Sequence, residues 1–169
     1  SFKHQCALCK LHLSSQKWSC LLEKSVIEKL MMKKVSSREE LGDAIDKLEE
    51  PNEIKLSMDT KFNFVQIRPE QKIEYYNLII FDYKYGTEGR VIHMKVLKER
   101  MEELLEEHGA YAHGANLPKP ITRATIEQGK SEGKKWEYVI RGDVYGKGKK
   151  YKVWESLKQY IVENSPLYL

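Results

Sequence analysis

Over residues 72–85 the chain carries its strongest β pattern. Ile73, Tyr75, Asn77, Ile79, Phe81 and Tyr83 alternate with Tyr76, Leu78 and Ile80. Successive side chains of a strand point to opposite faces, so this segment is apolar on both faces toward its centre. Such a pattern suits only a strand covered on both sides and predicts a central strand. The flanking sequence supplies partners. Ile54, Leu56 and Met58 alternate, and so do Phe62 and Phe64. Residues 68–71 and 85–89 read as turns, and residues 90–96 return as another strand.

Helical spacing appears on either side of this β-rich middle. Leu22, Val26, Ile27 and Leu30 predict a helix over 21–34. Ser36-Ser37 with Glu39 and Glu40 has the form of a capping box, opening a second helix with Leu41, Ile45 and Leu48 on one face. Leu97, Met101, Leu104 and Leu105 predict a third, closed by Gly109. After a loop over 109–120, strands are expected at 121–128 and at 135–145, the latter with Trp136, Tyr138 and Ile140 on one face. Tyr151 and Val153 then lead into a last helix carrying Leu157, Tyr160 and Ile161. The expected class is α+β: antiparallel sheets with helices packed on one face. The meander-plus-helix plan occurs twice. The expected segments are a Cys/His segment at 1–20, a helical segment at 21–53, and two similar halves at 54–109 and 110–169.

A 41% hydrophobic content is enough for a packed core. No apolar run approaches ~18 residues, so no membrane-spanning helix or membrane partner is expected. Cys6, Cys9 and Cys20 form an odd, clustered set, unlike a disulfide framework. They predict a reducing, intracellular setting, nuclear or cytoplasmic. Cys6-x2-Cys9 is half of a zinc knuckle, because a short turn aims both sulfurs at one point. Cys20 and His12 could complete the set around Zn2+, with His4 as the alternative to His12.

Charge is unevenly distributed. Residues 119–158 hold 11 basic and 5 acidic residues, a balance of +6, while the whole chain carries only +4. Lys134, Lys135, Arg141, Lys147, Lys149, Lys150 and Lys152 are the candidate nucleic-acid-binding residues, suited to neutralising phosphates. The acidic helix at 98–107 would repel nucleic acid and could instead meet a protein partner.

Two motifs resemble known families. Tyr145, Gly146, Gly148, Lys149, Lys150 and Lys152 lie on a strand, a Gly-rich turn and a Lys-rich helix start. This resembles the second half of a double-stranded-RNA-binding domain, over about 96–163. The resemblance implies a module that grips duplex RNA by its phosphates. Asp82-x-Lys84, ending an apolar strand, resembles the signature of restriction-type nucleases. That likeness implies a divalent metal on Asp82, water activated by Lys84, and a second carboxylate, for which Asp59 is the candidate. The expected function is therefore nucleic-acid binding through the basic C-terminal face. A non-catalytic protein-interaction domain and a metal-dependent nuclease are the alternatives.

Overall fold

The computed structural model describes residues 1–36, 38–114 and 116–168, with the side chains of all of these except Arg38 and Glu39. The class is α+β. Two helices open the chain, α1 (Phe2–His12) and α2 (Ser15–Lys29). Short β1 (Lys33–Lys34), the single turn α3 (Arg38–Leu41) and short β2 (Ala44–Ile45) follow. Then come β3 (Pro51–Ser57), β4 (Lys61–Ile67), β5 (Tyr75–Asp82), β6 (Arg90–Leu97) and α4 (Lys98–His108). The chain finishes with β7 (Ala110–Tyr111), α5 (Arg123–Ser131), β8 (Tyr138–Asp143) and α6 (Lys149–Leu157), followed by two short 3-10 turns.

These strands make two sheets. Sheet A has the order β1-β2-β3-β5-β6 and sheet B the order β4-β8-β7. As its pattern predicts, β5 is internal, flanked by β3 and β6. Its two faces feed two cores. Tyr76, Leu78 and Ile80 join Phe62, Phe64, Tyr138, Ile140, Met101, Leu105, Trp154 and Leu157 between the sheets and α4–α6. Ile79 and Phe81 pack on the opposite side against Phe2, Leu22, Val26 and Ile27 of α1 and α2.

Several expectations are corrected. Helices cover both faces of sheet A rather than one, because β5 is apolar on both faces. Sheet A is mixed: β3 pairs parallel to β5, from Asn52 opposite Tyr75 to Ser57 opposite Ile80. The intervening strand, β4, leaves for sheet B, and that crossover returns the chain in the direction of β3. Residues 121–128, expected as a strand, begin α5. Thr122 and Thr125 cap its first turn reciprocally, and only Ile126 and Gly129 are buried along it. The two halves are thus not equivalent, and 54–109 and 110–169 share one core. Residues 1–20, expected as a knuckle, form α1 and the start of α2. The second helix stops at Leu41 because Gly42 turns left-handed (φ +71°). In the capping-box motif, Ser37 lies outside the described residues, as does the side chain of Glu39.

Gly142 in β8 shows how tightly the sheets meet. A Cβ there would lie 2.4 Å from Cζ of Phe62. Its absence lets Phe62 pack over β8, with Phe64 stacked 5.3 Å away and the edge of Trp154 at 6.4 Å.

Candidate catalytic cleft and basic face

β2 covers the outer edge of β3 only at Pro51 and Asn52. From Glu53 onward that edge is open, and β4 bends away to the other sheet. A cleft of about 330 Å³ lies there, lined by residues that include Glu23, Asp43, Glu53, Lys55, Asn63, Gln66 and Arg68. Strand alternation sends Ile54 into the core beside α2 and turns Glu53 and Lys55 to the opposite face.

Asp43 arrives from the β2 side. Left-handed Gly42 brings its own backbone against Asn52, where a Cβ would stand 2.7 Å from the carbonyl oxygen. Asp43 Oδ2 then accepts a 2.8 Å hydrogen bond from the Ile54 amide. That bond leaves the carboxyl beside Glu53. Burial pushes the Glu53 carboxyl up to about 7, Lys55 opposes the shift, and the charge of Asp43 and a hydrogen bond with it reinforce the shift. The neighbouring Asp43 carboxyl thus works with burial against the charged form of Glu53. Lys55 Nζ completes the group, 3.1 Å from Glu53 Oε1 and 3.1 Å from the Gln66 carbonyl. Gln66 is itself left-handed (φ 53°) where the β4–β8 register slips between Phe64 and Ile67. A strained non-glycine residue that turns its carbonyl to a cleft lysine is typical of functional sites. Arg68 forms the next stretch of wall and is held by Glu137, Nε to Oε1 at 3.2 Å.

The sequence carried a signal for this cleft: a carboxylate-x-lysine on an alternating strand, with an aspartate ten residues before it. It is the same signal read at Asp82-x-Lys84, where the structure corrects the nuclease assignment. Asp82 is completely buried. Its Oδ2 accepts from Arg90 Nε at 3.0 Å and from the Tyr145 hydroxyl at 2.7 Å, and its Oδ1 accepts from the Lys84 amide at 3.2 Å. The carboxylate is thereby committed to anchoring the turn before α6. The Lys84 ammonium lies 5.9 Å from the rings of Tyr83 and Tyr145. Asp59, in the β3–β4 turn, caps that turn by accepting from Thr60 Oγ1 and the Lys61 amide.

The expected zinc set is not assembled. Cys6 and Cys9 sit one turn apart on α1, while His12 ends α1 and Cys20 lies exposed on α2. Burial, reinforced by neighbouring Cys9, pushes the Cys6 thiol up to about 12. Among the described residues no three Cys, His, Asp or Glu side chains stand close enough to share a metal.

The seven candidate phosphate ligands divide into two groups. Lys134 and Lys135 precede β8, and Lys147, Lys149, Lys150 and Lys152 follow it, so they occupy opposite ends of that strand. All are exposed, as is Arg141 within β8. Lys149 begins α6 behind Gly148, whose φ is +61°. Arg141, Lys149, Lys150, His108, Ala110, Val139 and Val153 surround a groove of about 310 Å³. Arg141 also reaches the cleft: its Nε donates to Asn63 Oδ1 at 3.3 Å, and Asn63 is part of the cleft wall. The strand–turn–helix order expected over 138–157 is formed, by β8 and α6. The strand meander expected before it is not, because sheet B is completed by β4 from the middle of the chain. On α4, Glu102 is buried and paired with Lys130 at 3.0 Å and Arg123 at 3.5 Å, leaving Glu99, Glu103, Glu106 and Glu107 exposed.

A second buried polar chain runs from Asn52 to Ser165. Asn77 Nδ2 donates to Asn52 Oδ1, His93 Nε2 meets Asn77 Oδ1 at 2.9 Å, and His93 Nδ1 meets Ser165 Oγ at 2.7 Å. It ties the C-terminal segment across sheet A. Burial, with Lys95 nearby, lowers His93 to about 4.

No protein-family model matches the chain, and neither a curated protein nor a solved structure matches it. Among the described residues no helix is long and apolar enough to cross a membrane.

Proposed function

We propose that this protein binds nucleic acid and hydrolyses its phosphodiester bonds with a divalent metal held at Asp43 and Glu53. The observation that carries this reading is the buried Asp43 and Glu53 carboxyl pair beside Lys55, lining one cleft. Buried ionisable groups converging on a cleft are what acid–base and metal-assisted chemistry requires. The activity is that of the restriction-type nucleases, moved from Asp82-x-Lys84 to Glu53-x-Lys55.

The donor set fits the cation. Mg2+ takes oxygen ligands, keeps several waters and commonly uses one or two carboxylates plus substrate phosphate. Asp43 and Glu53 provide two carboxyls in a cleft with room for water. A cation bound there supplies positive charge at the scissile phosphate and acidifies a bound water. The protein's own groups do the rest. Glu53 would hold the cation as a carboxylate, having released its proton to solvent. Lys55, held by Glu53 and the Gln66 carbonyl, orients the attacking water and offsets charge that builds on the phosphoryl oxygens. The water oxygen bonds to phosphorus, the bond to the leaving sugar oxygen breaks, and solvent removes one proton and returns one to the leaving group.

The test is cleavage of supercoiled plasmid, linear duplex, single-stranded DNA and duplex RNA with Mg2+ or Mn2+. Asp43→Asn, Glu53→Gln and Lys55→Ala should each lower the rate at least ~100-fold while the protein stays folded. An unchanged rate in Asp43→Asn, or no cleavage of any substrate at high protein concentration, would overturn the reading.

A further inference from the structure

We infer that one nucleic-acid strand leaves the cleft across the Asn63–Arg141 pair on the outer face of sheet B and enters the groove between β8 and α6, with Arg141, Lys149 and Lys150 as positioning residues for the bond being cut. This rests on the proposed hydrolytic reading for the position of that bond. The path itself rests on separate observations.

The first is continuity. Asn63 belongs to the cleft wall and Arg141 to the groove wall. The two residues stand opposite each other in the β4–β8 register and their side chains are hydrogen-bonded at 3.3 Å. Directly opposed residues in an antiparallel pair have Cα atoms about 5 Å apart. The bonded Asn63–Arg141 pair is thus the point at which the walls of the two depressions meet.

The second is charge. Along this path Arg141, Lys149 and Lys150 are exposed. The Arg141 guanidinium meets an amide oxygen rather than a carboxylate, so its positive charge is not neutralised there. Lys134 and Lys135 stand at the far end of β8, with Lys135 near the Glu70 carboxyl, and belong to a different surface.

The third is anchoring. The turn that delivers Lys149 and Lys150 is tied to sheet A through the Tyr145 hydroxyl on buried Asp82. The start of α6, which carries the two lysines, is therefore anchored to the same sheet that carries Glu53. The groups on the path read phosphate charge, so the ligand chemistry is the phosphodiester backbone of one strand. Duplex DNA, duplex RNA and single strands are separate arms of the test.

The test compares Lys149→Glu/Lys150→Glu and Arg141→Glu with the charge-matched control Lys134→Glu/Lys135→Glu. Two substrates are used: a labelled oligonucleotide and bis(p-nitrophenyl) phosphate, a phosphodiester with no flanking strand. The path variants should raise KM for the oligonucleotide about tenfold or more and leave hydrolysis of the small diester within twofold. In an Asp43→Asn background, binding measured by anisotropy should weaken, and its log–log salt slope should fall by about one per lysine removed. The control should do none of this. Equal loss in the control, or equal loss on the small diester, would overturn the path while leaving the hydrolytic reading intact. If the wild type cleaves neither substrate yet binds through Lys149 and Lys150 and not through Lys134 and Lys135, the path stands and the hydrolytic reading falls.

Discussion

Glu53 and His93 hold opposite positions in the acid–base balance of the fold. Glu53 is raised from 4.5 to about 7 by burial, against Lys55 and with Asp43. Folded protein therefore binds a proton that the unfolded chain has released, and the associated stability is full below about 4.5 and lost as pH rises through about 7. His93 is lowered from 6.5 to about 4 by burial. Its contribution is present above about 6.5 and lost as pH falls through about 4. Between about 4.5 and 6.5 the two slopes oppose each other, each at most about 1.4 kcal/mol per pH unit. Urea denaturation of the metal-free wild type should show little pH dependence across that window. Glu53→Gln should uncover the rising slope of His93 and gain roughly 1–3 kcal/mol at pH 8 relative to wild type. Mg2+ should raise the Tm of the wild type, more steeply above pH 7 where Glu53 is ionised, and should not raise that of Glu53→Gln. An equal shift of the variant at pH 5 and pH 8 would contradict a Glu53 carboxyl raised by burial.

At the scale of the element, the β2–β3 hairpin is the device that makes the cleft. Its pairing spans two residues on each strand, so it delivers Asp43 and then leaves the Glu53–Lys55 edge uncovered. Gly42 is indispensable to that geometry, since it combines a φ of +71° with a backbone closer to Asn52 than any Cβ permits. Gly42→Ala should cost about 1–3 kcal/mol in urea denaturation and lower cleavage by displacing Asp43. A variant with wild-type stability and rate would show that the turn does not position the carboxylate. Here the sequence was half legible. The helix expected through Ile45 and Leu48 used three apolar residues at helical spacing, but a single left-handed glycine outweighs such a pattern. Likewise at α5, reciprocal capping by Thr122 and Thr125 prevailed over the β-branched residues of 121–128.

At the scale of the molecule, the two sheets are joined by one core rather than docked as independent halves. Phe62 and Phe64 of β4 pack with Trp154 of α6, and β5 places Tyr76, Leu78 and Ile80 in the same cluster. Phe62→Ala should therefore cost about 3–5 kcal/mol. Tryptophan fluorescence and far-ultraviolet circular dichroism should still follow one coincident transition. Separate transitions for the two signals would mean that the halves at 54–109 and 110–169 fold independently.

The sequence by itself determined the local properties of the chain. The two-faced apolar run made β5 an internal strand. The periodic residues of α2, α4 and α6 made amphipathic helices. The clustered lysines made a cationic C-terminal third. Each follows from neighbours within a few residues, where period and charge are sufficient. The tertiary structure alone decided which strands met. It sent β4 to β8 across more than 70 residues of chain, opened the edge of β3, and placed Glu53-x-Lys55, not Asp82-x-Lys84, on a cleft wall. Two identical carboxylate-x-lysine signals differ only in what surrounds them. Arg90 and Tyr145 consume one carboxylate, and Asp43 beside an open cleft leaves the other with a proton to exchange.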